Sequence, residues 1–543
     1  MTQPMPSPAD REEQGPVSVG IAGVAAVIFL GNAMSRVLGL IREQLAARNF
    51  GAGNDIAAFT VADNLNTLIF DLISNGMLQA ALVPVMAIAL ARSSGGVLAS
   101  EQVSGTLLLL ALVAGSAIAF TGIILAPELV SLMTALSNDP GLRGAESRSL
   151  AIDSLRILLV SLPFLAGATV LTARLYAMAR PGGPAVGALC RNGSVVVAIL
   201  LLGSRFGVKS MAAGVLAGSI AMFVTQIIAL HRNESLPQLT LNLGDPDVRQ
   251  VFRLYTPVFL GLIVSSLVIV VDRNLAWGAE ANAIGAMRYA TALVQLVLGL
   301  IAAAVALAAL PALSRYFASS DAAAFSEQLS RALRLVTVLI VPAVAGMAVL
   351  AHPIVRLIYE HGATDREASR LIALALLVYL PGHLLAAYDQ VLIFSFYARL
   401  NTVLPVVIGV VAAGAYTVTA ILLFDRYQML GLVLANSLQL AVHTVIMVVM
   451  ARQRFGNSWM ATLPGAIAKV TTSALTMAVA SWGLYRGVVA VAGDETTAAR
   501  SIAVVLPVFA GIATYAALLR VFGVTELSDI ASVVAQRVGL KTG

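Results

Sequence analysis

An arginine inside an apolar run long enough to cross a bilayer must meet something polar. The run that starts near Val17 closes on Ser35-Arg36-Val37-Leu38-Gly39-Leu40-Ile41-Arg42-Glu43. A guanidinium at the centre of a membrane helix costs roughly 2.5–3.5 kcal/mol on insertion scales. Arg36 is therefore expected to face a water-filled cavity, a counter-charge or an anionic ligand, which points to a path through the membrane. Arg36 and Arg42 fall about 9 Å apart along a helix and about 120° apart around it. They do not stack on one face, but both can border a wide cavity. Arg36 and Glu43, seven residues apart, do share a face. The plainer alternative is that Arg42 and Glu43 snorkel to the interface.

Other polar groups interrupt the apolar blocks. Asp63, Asn64, Asn66, Thr67 and Asp71 follow closely on one another, and Asp63, Asn66 and Thr67 form a stripe at helical spacing. Two carboxylates near two arginines could neutralise them in the substrate-free state, or could bind a proton or cation that couples transport. Asp272 and Arg273 are adjacent, so they are expected to point apart and to pair across helices. Arg288 and Gln295, seven apart, share a face of one helix. Arg156, Arg174 and Arg191 also lie in apolar surroundings and are expected to be structural or interfacial. His383 and His443 read as hydrogen-bonded packing. The chain has one cysteine, Cys190, expected in the core. No Cys/His cluster suggests a metal, and no GxxxxGK[ST] motif suggests direct use of ATP.

The elements that position these groups are membrane helices. Of 543 residues, 59% are hydrophobic and 11% charged, against about 25% charged in a soluble domain. The reading is an all-α polytopic membrane protein with about fourteen spans of about 20 residues each. Short loops leave no room for an extramembrane catalytic domain, and no basic stripe suggests nucleic acid. The basic residues lean towards the side of the N-terminus, taken as inside. Residues 1–16 read as a disordered cytoplasmic tail, 17–232 as an N-lobe of six spans and 233–455 as a C-lobe of six. Residues 456–522 add two C-terminal spans, and 523–543 form an amphipathic tail. The lobes echo each other weakly. Phe50-Gly51-Ala52 matches Trp277-Gly278-Ala279, and the same offset brings Pro84 onto Pro311. Such repeats place a substrate site at their interface near the bilayer midplane.

Several pieces, in order, carry a resemblance. They are the segment from Ser35 to Glu43, Phe50-Gly51-Ala52-Gly53, Asn75-Gly76, Leu82-Val83-Pro84, Val271-Asp272-Arg273, Tyr289-Ala290 and Leu310-Pro311-Ala312-Leu313-Ser314. Leu357-Ile358-Tyr359-Glu360-His361-Gly362-Ala363-Thr364 and Phe396-Tyr397-Ala398-Arg399 complete the set. Together they resemble the lipid II flippase family, known as MurJ or MviN, of the multidrug/oligosaccharidyl-lipid/polysaccharide exporter superfamily. The resemblance implies two lobes around a central cavity and alternating access that carries an undecaprenyl-linked peptidoglycan precursor outward. It also implies that arginines hold the diphosphate, and Arg36 and Arg42 match two of these. A planar guanidinium can donate two parallel hydrogen bonds to phosphate oxygens.

The chain departs from the family pattern at four places. Phe70 and Ala292 stand where arginines are common, Ala57 where an acid is expected, and Asn75 where Glu is frequent. Arg273 and Arg288 are candidate replacements. The expected substrate-binding set is Arg36, Arg42, Asn75, Arg273, Arg288 and Gln295. Glu43, Asp63, Asp71 and Asp272 are the candidates for coupling or counter-charge. The expected function is lipid II translocation at a bacterial plasma membrane, by a monomer, with the lipid-linked glycan and the bilayer as partners. No catalytic residue, metal or cofactor is implied, and coupling to the membrane potential or to an ion is open. The alternative is another exporter of the superfamily, for a polysaccharide lipid or for cationic drugs. A membrane glycosyltransferase fits the short loops poorly, and a scaffold that binds precursor without moving it is a third reading.

Overall fold

A computed structural model describes residues 16–72, 81–91, 96–135, 144–178, 180, 182–232, 236–280, 282–399 and 401–524. The N-terminal tail before Pro16, Asn75 and the C-terminal tail from residue 525 lie outside the described residues. The described residues are helical nearly throughout. The helices are α1 (Pro16–Phe50), α2 (Asn54–Phe70), α3 (Val83–Ala91), α4 (Gly96–Ile124), α5 (Ala126–Leu132) and α6 (Ala145–Leu159). They continue with α7 (Leu162–Ala177), α8 (Gly182–Phe206), α9 (Lys209–His231), α10 (Pro246–Trp277), α11 (Ala283–Val294) and α12 (Leu300–Ala318). The last are α13 (Ala322–Val349), α14 (Ala351–Tyr359), α15 (Arg366–Ala398), α16 (Val403–Phe455), α17 (Leu463–Ala492) and α18 (Thr497–Val521).

Among the described residues nine helices are long and apolar enough to cross a membrane, or ten if α6 and α7, bent by 40° at their junction, make one span. The bend has a local cause. Pro163 lies in the first turn of α7, where its missing N–H breaks no helical bond but ends the helix before it. The 53-residue α16 holds enough length for two crossings. It is divided at Gln428, whose backbone leaves the helical region at φ 48°, and the Met429 N–H that restarts the helix donates to Glu280 Oε2 at 3.3 Å. Helix starts are fixed by side chains. Asp321, Asp365 and Thr496 accept from the N–H three residues on, at 2.9, 2.8 and 3.1 Å, satisfying donors that a first turn leaves open.

The chain forms two compact units that interleave in sequence. The first comprises residues 1–42, 61–131 and 148–263, and the second 43–60, 132–147 and 264–543. In the first, a core around Leu82, Met86, Leu107, Leu171 and Leu230 joins α3, α4, α7 and α9. Beside it the buried Arg174 on α7 donates to Ser104 Oγ at 2.6 Å and meets Glu101 Oε1 at 3.3 Å, so this arginine is structural. In the second, α17 and α18 pack on α13 through Val338, Val470, Met477, Tyr515 and Leu519. Tyr515 Oη donates to the Val338 carbonyl at 2.7 Å.

Candidate functional site

The first unit gathers its charged groups where α1, α2 and α8 contribute. α8 is set by its contact with α9. At Gly214 and Gly218, four residues apart, an added Cβ would lie 2.6 Å from the Val195 Cα and 2.7 Å from the Arg191 carbonyl oxygen. Small residues at this spacing let membrane helices approach backbone to backbone. α8 in turn presents Arg191 and Asn192. The Asn192 amide nitrogen donates to the Ser35 hydroxyl at 2.8 Å and to the Ser35 carbonyl at 3.1 Å. Its Oδ1 accepts from Arg42 Nη1 at 3.2 Å. The Arg191 guanidinium lies over the Phe70 ring, 6.0 Å from the centroid, a distance at which a cation is attracted to the ring face. Arg191 is also within electrostatic reach of Asp63, Arg42 and Asp71.

Two guanidinium groups and two carboxylates thus belong to one cluster on apolar helices. Phe70, which stands where the family resemblance places an arginine, is the platform on which a different arginine rests. The sequence alone places Arg191 outside the expected site. The signal that could have found it is the pair Arg191-Asn192 inside an otherwise apolar helix. The polar stripe on α2 is not uniform: Asp63 is half-buried, Asn66 buried and Thr67 exposed. Arg36 is half-buried on the same helix as Arg42.

The second unit treats its charges differently. Glu43, 3% exposed, takes a two-point ion pair from Arg288 of α11, with Nε to Oε2 at 2.8 Å and Nη2 to Oε1 at 3.0 Å. Arg288 also lies over the Phe59 ring at 5.2 Å and reaches the Thr60 hydroxyl at 3.4 Å. Around this pair the resemblance motifs meet. Tyr289 donates to the Gly51 carbonyl at 2.7 Å and stacks on Tyr359, with ring centroids 5.0 Å apart. Thr364 donates to the Ala47 carbonyl at 2.7 Å, and the Ala363 N–H to the Arg48 carbonyl at 2.8 Å. Gly362, at φ +63°, leaves no room for a Cβ, which would lie 2.2 Å from the Arg48 carbonyl oxygen. The motif residues from Ala47 to Gly51 and from Tyr359 to Thr364 therefore build one packed joint.

Asp272 and Arg273, expected to point apart, contact each other instead. Arg273 Nη1 is 3.4 Å from Asp272 Oδ2; an arginine stem is long enough to bring its guanidinium to the carboxylate of its neighbour in sequence. Asp272 also accepts a hydrogen bond from the Tyr416 hydroxyl. Gln295, expected on one face with Arg288, is exposed at the start of a π-helical turn, Gln295–Gly299. That turn shifts the register between α11 and α12. Ala292 is half-buried on α11. Asn75 lies outside the described residues.

The sequence model of the family described as lipid II flippase MurJ matches residues 46–493. The chain belongs to the MurJ lipid II flippase family. A lipid II flippase MurJ of Burkholderia cenocepacia is 25% identical over 384 residues, 69% of this chain and 73% of that protein. A probable lipid II flippase MurJ of Vibrio cholerae is 26% identical over 417 residues, 75% of this chain and 78% of that protein. Among solved structures, lipid II flippase MurJ in an inward closed conformation superposes with a TM-score of 0.74 at 21% identity, covering 91% of this chain and 98% of that one. An inward-facing multidrug resistance MATE family transporter of the MOP superfamily gives 0.64 at 17% identity, covering 79% and 99%. These likenesses give the fold, that of the MurJ and MATE transporters. The MurJ family comprises membrane transporters rather than enzymes, and this chain is a multi-pass member of it.

Proposed function

We propose that this protein translocates lipid II, the undecaprenyl-diphosphate-linked disaccharide-peptide, across the bacterial plasma membrane by alternating access. The observation that carries the reading is the cluster of Arg42 and Arg191 with Asp63 and Asp71 on three apolar helices. A diphosphate brings two adjacent anionic groups, and each guanidinium can offer it a fork of parallel N–H donors. In the empty state the two carboxylates balance the arginines. An arriving diphosphate competes with them for the same donors, and the donors are then shared between cargo and carboxylate. Arg36, one turn and a half before Arg42, extends the cationic stretch along α1. Cargo moves the conformational equilibrium only so far as it binds one state better than the other. Membership of the MurJ family and the bacterial relatives support the cargo and the membrane.

The second reading, an exporter of cationic compounds, draws on Asp63 and Asp71 as the binding groups. One experiment separates the two. Arg42→Ala is expected to abolish rescue of a cell depleted of its own lipid II flippase, while the protein still reaches the membrane. Full rescue by Arg42→Ala, with loss of drug resistance in Asp63→Asn, would favour the exporter instead.

A further inference from the structure

The second unit holds two kinds of buried ion pair. Glu43 pairs with Arg288, and Arg356 with Glu360 and Asp494. Guanidinium keeps its charge at any physiological pH, so these pairs do not change state. Asp389 on α15 and His443 on α16 differ, because imidazole gains and loses its proton in the physiological range. Asp389 is 7% exposed, and its Oδ2 lies 2.7 Å from His443 Nδ1. The other ring nitrogen, Nε2, faces the Pro405 carbonyl at 3.4 Å. Nδ1 lies at ion-pair distance from the carboxylate but makes no hydrogen bond of good geometry, so what draws the two groups together is charge, present when the ring is cationic. Asp389 Oδ1 is buried without a hydrogen-bond partner. The carboxylate thus keeps an unused oxygen inside the protein, a place where a proton can reside.

We propose that Asp389 and His443 form an intramembrane proton-binding site that the transport cycle loads and discharges. The proposal rests on the protein being a transporter and not on the identity of its cargo. With one proton the pair is formally neutral, whether the proton sits on the ring or on the carboxyl. Without it a lone carboxylate charge is left among apolar helices, which is unfavourable unless water reaches it. The proton comes from water, is held on the ring or on the carboxyl, and returns to water.

The surroundings keep the pair to itself. Tyr397, also on α15, is the titratable hydroxyl in electrostatic reach of Asp389, and the charged group acting on His443 is Asp389. Several charges on helices packed against α15 are engaged elsewhere, among them Arg426 of α16 over the Tyr427 ring and Arg452 of α16 donating to Asn457 Oδ1. Arg288 of α11 is bound to Glu43, Arg331 of α13 to Glu327, Arg334 of α13 to Thr462, and Arg356 of α14 to Glu360. Arg315 lies in the last turn of α12. His383, on the same helix as Asp389, takes the Tyr379 carbonyl at 3.0 Å as its partner.

The position also links the pair to movement. Ser437 donates to the Val378 carbonyl at 2.6 Å, and a Cβ on Gly382 would lie 2.5 Å from the Ser437 Cα. The second half of α16 is therefore locked to α15, and Asp389 and His443 travel together. Pro405 belongs to the first half of α16, beyond the break at Gln428. A change of angle at that break alters what His443 Nε2 faces, and with it the proton affinity of the pair.

If affinity differs between the two transport states, pH must shift their ratio, by up to about tenfold per pH unit for one proton. The full-length protein in lipid nanodiscs, without cargo, would carry nitroxides at Gly244→Cys and Ser319→Cys in a Cys190→Ser background. Double electron–electron resonance at about pH 5.5 and 8.5, on either side of the imidazole range, reads the populations. The wild-type pair should give a severalfold change in their ratio, while Asp389→Asn and His443→Gln should give the same ratio at both pH values. An unchanged wild-type ratio, or a wild-type response retained in both variants, would overturn the proposal. Failure to move lipid II leaves this readout untouched.

Discussion

Arg42 and Glu43 are consecutive residues of α1, and they lie in opposite settings. Glu43 belongs to the second unit, buried and held at two points by Arg288. Arg42 belongs to the first, half-buried, donating to the neutral Asn192 amide. Nearby Arg191 rests on a ring rather than in a two-point carboxylate clamp. A closed pair has its donors occupied, so an anion must break it before binding. In the cluster of Arg42 and Arg191 with Asp63 and Asp71, no such two-point clamp among the described residues holds Arg191, and an anion can compete with the carboxylates for donors at smaller cost. The difference sets a packed joint beside the proposed binding surface within one motif.

The comparison is broken most sharply at the closed pair. Glu43→Ala leaves Arg288 buried without its carboxylate and should lower stability by about 3–5 kcal/mol, whereas Glu43→Leu with Arg288→Met should recover most of it. Thermal unfolding of the full-length protein in detergent reads both, and a single variant that melts like the wild type would show that the joint does not depend on this pair. At the other extreme, Lys209 and Asp153 make a 2.6 Å pair in the first unit with side chains 37% and 40% exposed. Lys209→Ala should change stability by no more than about 1 kcal/mol. A larger loss would mean that burial is not what distinguishes the two pairs.

Much of the fold was legible because apolar runs of membrane length carry a strong signal. The break in α16 was visible too, as separate apolar segments at 402–424 and 429–451. Fourteen spans were expected, and the described helices that meet the length and composition of a span number nine or ten. The difference lies at α1, at α2 with α3 and at α10, which are not among the nine, at the bent pair α6 and α7, and at α16, one helix where two segments were expected. The site was less legible. Arg191 and Phe70 meet across two helices distant in sequence, and helical spacing says nothing about such pairs. Phe70 read as a missing arginine, and only the placement of α8 shows a guanidinium resting on it. Arg288 read as a cargo-binding group, yet it closes on Glu43, because the sequence does not reveal which buried charge finds a partner first.

The most direct measurement is translocation of fluorescent lipid II by the purified full-length protein in proteoliposomes, comparing wild type, Arg42→Ala and Arg191→Lys. Charge-assisted hydrogen bonds contribute about 1.5–3 kcal/mol each. Arg42→Ala should therefore weaken the apparent affinity for lipid II about 10- to 100-fold while melting within about 1 kcal/mol of wild type. Arg191→Lys, which keeps the charge but loses the planar fork and the ring stacking, should fall between the two. Wild-type lipid II movement with affinity unchanged in both variants would contradict the assignment of the α1–α2–α8 cluster as the diphosphate site.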